Sequence, residues 1–232
     1  MLTQQNLQIH ADLNAFAYVL MLFISLLIPN LSYGFAMPEA ALIKIKQQHG
    51  IQAVSNIKAW ETLINKHRHE SDLKKLRLVT DFFNKYKPIS DQKLWNKTNY
   101  WATPVELLER GAGDCEDYVI AKYFTLKTMG VSIDKLRLVY ATSHKLKQPH
   151  MVLAYYETPG SDPFILDNLT NWISYGSERP DLIPIYTFNG ENVWFSLKKK
   201  GKKVVSSTKS VYLWQDLLNK MRKEQIPEEM IQ

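Results

Sequence analysis

The chain of 232 residues has one cysteine, Cys115, so no disulfide can form within it. It offers little to a membrane-spanning reading. Ala15 to Ile28, AFAYVLMLFISLLI, is uncharged for only 14 residues, short of the roughly 20 that a spanning helix needs. Basic residues are missing from the first 36 positions, where Asp12 is the sole charge. No internal repeat or low-complexity segment is present, which excludes solenoid architectures. A hydrophobic content of 45% excludes a disordered chain and suffices for a real core.

The short apolar run has the length of a signal-peptide core. Pro29 breaks it, and Gly34 and Ala36 place small residues where a signal peptidase cuts, so cleavage is expected before Met37. The missing basic residues leave an uncleaved anchor as the alternative. Residues 37–232 keep all 29 basic residues against 22 acidic ones (23 less Asp12), a net charge of +7. An exported protein of this charge meets anionic lipids, wall polymers or acidic proteins, so no nucleic-acid partner is expected. In an oxidising compartment a lone thiol is a hazard unless buried or used.

The first part of the exported chain has helical periodicity. Pro38 opens a helix that Gly50 ends, and Ile57, Trp60, Leu63 and Ile64 continue the spacing. SDLKKLRLVTDFFNKY predicts another helix, with Ser71 as its N-cap, Leu73, Leu76, Val79, Phe82 and Phe83 inward, and Pro88 as its stop. TPVE, Thr103 to Glu106, has the layout of a capping box, and its helix ends at Gly111. A further helix begins at about Cys115 and runs to Gly130. The period then becomes strand-like over 135–142, 150–157, 163–169 and 192–197, predicting an antiparallel sheet with a turn at Gly160, Ser161 and Asp162. TKSVYLWQDLLNKMRKEQ closes the chain as an amphipathic helix. Trp194 and Trp214 are expected in the core. KKKGKK, Lys198 to Lys203, is expected as a solvated hairpin tip, with an anionic docking patch as the alternative.

A thiol at a helix N-terminus becomes a nucleophile when a histidine accepts its proton and a third group orients that histidine. His150 opens the second strand 35 residues after Cys115, and Asp167 ends the third 17 residues later, so neighbouring strands deliver them side by side. His144 is the rival base, but its charged, turn-rich context reads as a loop. Asp167 has the alternative role of an Asx turn in LDNL. Cysteine, then histidine, then aspartate is the chain order of the papain and transglutaminase class. Asp114, Glu116 and Asp117 crowd the thiol, and their charge opposes its ionisation unless a cation neutralises them. Clustered hard oxygens suit calcium, while acids complementing a helix dipole are the simpler reading.

GAGDCEDYVIAKY, LRLVYA, HMVLAYY and ILDNL together resemble the bacterial transglutaminase-like cysteine proteinases, the LapG family, over about Trp60 to Trp194. The resemblance implies an α+β, papain-like or transglutaminase-like fold, with a helical lobe over about 37–130 and a sheet lobe over about 131–232. It implies Cys115 as nucleophile, His150 as general base and Asp167 as its partner, with calcium held by Asp114, Glu116 and Asp117. It further implies a periplasmic protease that cuts a large surface adhesin near its N-terminus at a di-alanine site. A LapD-like inner-membrane receptor for cyclic di-GMP is then the expected inhibitory partner. Two rivals remain: an acyl transferase with the same triad, and a non-catalytic calcium-dependent binding protein.

Overall fold

The computed structural model describes residues 34–189, 193–195 and 206–231. The apolar run at 15–28, the Lys198–Lys203 segment and the side chain of Trp194 lie outside the described residues. Among the described residues no helix is long and apolar enough to cross a membrane.

Helix α1 (Glu39–His67) is two helical stretches joined at Gly50, whose φ of 82° and ψ of 178° interrupt the hydrogen-bond ladder. Only glycine adopts that conformation readily, so the break falls where the sequence places a helix end. Phe35, two residues before Met37, belongs to the core. The Phe35 ring stands edge-on to Trp60 at 4.9 Å, and its carbonyl accepts from Asn65 Nδ2 at 2.8 Å.

Helix α2 (Asp72–Phe83) differs from expectation in two ways. Leu73 is 51% exposed rather than inward, because among the described residues the first turn of the helix is left open on that side. The helix also stops at Phe83, and Pro88 lies beyond it in strand β1 (Lys87–Pro88), which runs parallel to β2 (Ala112–Gly113). Proline fits there because the flanking Lys87 and Ile89 amides donate to Gly111 and Gly113. Ser71 precedes the helix as expected, but it contributes its carbonyl to Lys75 N and no side-chain cap.

Between the two short strands lie α3 (Asp91–Leu94) and α4 (Pro104–Arg110). The capping box of α4 is present: Thr103 Oγ1 accepts from Glu106 N at 3.0 Å, and Glu106 Oε2 accepts from Thr103 N at 2.9 Å. Gly111 terminates α4 in the left-handed conformation. Helix α5 (Cys115–Thr128) is buried along nearly its whole length from Asp117 on, so it is the central element around which the others pack. Trp60 of α1 donates to Thr125 on it at 2.8 Å.

The sheet is antiparallel, with strands β3 (Leu136–Ser143), β4 (Gln148–Tyr155), β5 (Phe164–Leu166), β6 (Ser174–Tyr175), β7 (Leu182–Phe188) and β8 (Val193–Phe195) in the order β6-β5-β4-β3-β7-β8. Alternation sets its faces. Leu136, Leu138, Met151, Leu153 and Tyr155 join the core formed with the helices. Val139, Ala141, Val152, Ala154 and Ile165 make a smaller apolar cluster. Strand β7 is the longest of the elements the sequence reading did not identify. It carries Pro184 at the point where its pairing with β3 shifts register, between Tyr140 and Ala141, and an internal proline argues against a strand.

Helix α6 (Ser206–Lys223) and α7 (Glu228–Ile231) follow the last strand but pack on helices. Trp214 stacks on Phe124 of α5, with centroids 5.4 Å apart and an interplanar angle of 12°. The C-terminal part of the sheet half therefore contributes its closing helices to the helical layer.

Candidate active site

The entry to α5 is held from two sides. Gly113 pairs with Pro88 across the short parallel ladder, and the Asp114 amide donates to Asp117 Oδ2 at 3.1 Å. A Cβ on Gly113 would lie 2.8 Å from Asp117 Oδ2 and 2.9 Å from Asp117 Cβ, so a glycine is required for this close approach. The first helical residue after this turn is Cys115.

The Cys115 thiol donates to Glu116 Oε2 at 3.0 Å, and the backbone of Met151, the residue after His150, lies beside the sulfur and works to lower its pKa. Burial pushes the thiol pKa well above its ordinary value, and the charges of Glu116 and Asp114 push it further. In this arrangement the thiol keeps its proton. Among the described residues no hydrogen bond joins the sulfur to His150.

His150 and Asp167 do meet. His150 Nε2 lies 2.9 Å from Asp167 Oδ1, and both residues are buried. Register places them: β4 and β5 pair Leu153 with Leu166, so Asp167 leaves the third strand beside the start of the second. Asp167 Oδ1 also accepts from Leu169 N at 3.1 Å, which is the Asx turn read from LDNL, so the carboxylate fills both roles. Burial opposes ionisation of Asp167, but hydrogen bonds from His150, Leu169 and Arg179 outweigh it and hold the carboxyl at about 2. With Nε2 engaged by Asp167, Nδ1 is the ring nitrogen left for chemistry. His144 lies just past the β3 end, where its amide donates to Asp181 O.

The acidic shell is larger than the sequence string. One carboxylate oxygen from each of Asp91, Asp114 and Asp117 lies within 4.8 Å of the others, and Asp114, Cys115 and Glu116 form an overlapping group. Asp117 is anchored by backbone amides, accepting from Ala102 N at 2.7 Å and from Asp114 N at 3.1 Å. Asp91 Oδ1 and Asp114 Oδ1 are buried with no hydrogen-bond partner. Burial, together with the neighbouring Glu116 charge, lifts Asp91 to about 6 and Asp114 to about 10. Orphaned, mutually repelling oxygens at this separation fit a hard divalent cation of the calcium type.

Three further residues belong to this neighbourhood and were absent from the sequence reading. Asp91 arrives from α3, and no local spacing ties it to Asp114. Arg179, just before β7, donates to Asp167 Oδ2 at 3.0 Å. Lys122 reaches Asp167 O at 3.2 Å from inside the core. Its signal was visible, since YVIAKYF sets one lysine among apolar residues on every side.

A family profile described as bacterial transglutaminase-like cysteine proteinase BTLCP matches residues 52–202. Among solved structures, Legionella pneumophila LapG is 38% identical, with a TM-score of 0.68, over 81% of this chain and 99% of its own. Its EGTA-treated form gives the same values. Its calcium-bound form is 39% identical with a TM-score of 0.65, over 78% of this chain and 97% of its own. No curated protein matches the chain. The profile covers well over half the sequence and the structural likeness most of the described domain, and the chain belongs to the bacterial transglutaminase-like cysteine proteinases.

Proposed function

We propose that this protein is a calcium-dependent cysteine endopeptidase of the periplasm, cutting a large surface adhesin near its N-terminus at a di-alanine site. The observation that carries the reading is the buried His150–Asp167 pair at 2.9 Å, on the strand where the next residue, Met151, has its backbone beside the Cys115 sulfur. His150 takes the thiol proton on Nδ1 and Cys115 sulfur attacks the peptide carbonyl. The Cys115 backbone amide stabilises the oxyanion, and the imidazolium returns the proton to the leaving amine. Water, deprotonated by His150, then hydrolyses the thioester and regenerates the thiol. Asp167 keeps the imidazole in one tautomer and orientation throughout.

Asp91, Asp114, Glu116 and Asp117 are the residues that hold calcium in this reading. When bound, the ion supplies positive charge that offsets the carboxylates and favours thiolate over thiol. The calcium-bound and EGTA-treated forms of Legionella LapG support carrying that dependence to this chain. Export by a signal peptide, release of adhesin from the surface and restraint by a LapD-like cyclic di-GMP receptor complete the proposal.

The test is incubation of the purified protein with a di-alanine-containing adhesin N-terminal fragment, in calcium and in EGTA, beside Cys115→Ala. Products are read by mass spectrometry. Cleavage only with calcium and Cys115 is expected. Amine-linked products in place of hydrolysis would assign the protein to acyl transfer, and binding of the fragment without any cut would leave a calcium-dependent binding protein.

A further inference from the structure

We propose that Arg179 is a positioning residue for catalysis, locking the Asp167 carboxylate by the oxygen that His150 does not use. The inference rests on His150 and Asp167 being the base and its partner, as proposed above.

Asp167 has two carboxylate oxygens in a fully buried site, and each has a distinct duty. Oδ1 receives His150 Nε2 at 2.9 Å, while Oδ2 receives Arg179 Nη2 at 3.0 Å. A carboxylate held by one oxygen alone can rotate about its Cβ–Cγ bond and carry the histidine with it. Arg179 removes that freedom. Its own guanidinium is fixed from the other side: Nε donates to Asp181 Oδ1 at 2.9 Å and Nη2 to Asp181 Oδ2 at 3.0 Å. Such a planar fork carries direction as well as charge.

The fork is tied into the sheet. Asp181 O accepts from His144 N at the end of β3, and Leu182, the first residue of β7, donates its amide to Arg179 O. The turn before β7 thus sets the orientation of a carboxylate that sits after β5. Arg179 is only 17% exposed, so its charge acts on Asp167 with little solvent screening. Other charged or titratable groups face the pair from every side: Lys122 Nζ touches Asp167 O from α5, Asp181 backs Arg179, and the Cys115 thiol lies at the Met151 backbone. None of these contacts Oδ2, so Arg179 is the group that sets it.

The second consequence is electrostatic. An imidazolium beside an uncompensated buried carboxylate is held more tightly than one beside a carboxylate already paired with a guanidinium. Arg179 therefore moderates how firmly His150 keeps a proton that it must give to the leaving amine.

The experiment uses the calcium-loaded protein and three variants: Arg179→Gln, Arg179→Lys and Asp181→Asn. The His150 ring titration is followed by NMR, with the signal assigned by its loss in His150→Gln, and kcat and KM are measured on a di-alanine peptide. In Arg179→Gln the His150 midpoint is expected to move to higher pH, with kcat falling on the order of tenfold, as for outer partners that orient a histidine. KM should stay within about twofold, because no contact to substrate is lost. Arg179→Lys should keep the midpoint and lose part of kcat. Asp181→Asn should lower kcat with the thermal midpoint retained. A folded Arg179→Gln protein with an unmoved His150 midpoint and wild-type kcat overturns the proposal. If that variant does not fold, wild-type kcat in both Arg179→Lys and Asp181→Asn overturns it. If the wild-type protein cuts no peptide, the protease reading fails, while the NMR arm still decides whether Arg179 acts on His150.

Discussion

Replacing Lys122 with methionine should stabilise this protein, and do so most at low pH. Lys122 is completely buried, and among the described residues its ammonium reaches one acceptor, Asp167 O at 3.2 Å. Burial depresses its pKa from 10.5 to about 7, with the nearby Asp167 charge opposing the shift. Between those two values the unfolded chain binds more protons at Lys122 than the folded one, so the contribution of this residue to unfolding free energy rises with pH through that window. Below pH 7 the folded protein carries the whole cost, roughly 5 kcal/mol at 1.36 kcal/mol per pH unit. At pH 9 about 2 kcal/mol of it remains. Methionine matches the volume and removes the charge. The hydrogen bond it forfeits is worth about 1–2 kcal/mol, and Asn84 Nδ2 still donates to the same carbonyl at 2.9 Å. Urea unfolding at pH 6 and pH 9, in calcium, supplies the test. The advantage of Lys122→Met over wild type should shrink by about 3 kcal/mol from pH 6 to pH 9. The carboxylate shell titrates equally in both proteins and cancels. An advantage that does not change with pH, or a Lys122→Met protein less stable at pH 6, refutes the reasoning.

Asp91→Asn should weaken calcium binding tenfold or more by calorimetry, because it removes one charge from a cluster that has two orphaned oxygens. Gly113→Ala should do the same while leaving Asp91 untouched, since the new methyl displaces Asp117 Oδ2 from 2.8 Å. Without calcium, the thermal midpoint should fall as pH rises from about 4 to about 6, below the window in which Lys122 acts in the opposite sense. Asp91 and Asp114 have folded values raised to about 6 and about 10 from 3.8, so the folded state holds more protons across those windows and loses stability through them. Added calcium should recover more stability at pH 8 than at pH 5, measured by scanning calorimetry.

How much of this could be read from the residues differs by element. Helix ends were plain where glycine, proline and a capping box act locally, as at Gly50, Thr103 and Gly111. The strands on either side of the Gly160–Asp162 turn were plain because β-branched and aromatic residues alternate between turn residues. Strand β7 was hidden by Pro184, which a register shift accommodates only once β3 lies beside it. The string around Cys115 raised the cation reading, but Asp91 and Arg179 reach the centre through tertiary packing alone, which leaves no period in sequence to detect.

Phe35 attaches a thermodynamic consequence to the expected cleavage before Met37. A cut between Ala36 and Met37 would detach a ring that is 1% exposed and seated on Trp60, and with it the carbonyl that Asn65 binds. Loss of a core phenylalanine costs roughly 3–5 kcal/mol. The new ammonium at Met37, 2.7 Å from Glu61 Oε1, would return part of this as an ion pair. If the protein is exported as proposed, the position of such a cut would decide whether it folds with a filled hydrophobic corner or with a cavity at its first helix. On that reading, a difference of two residues at the cleaved bond would become a difference in the lifetime of the folded protein.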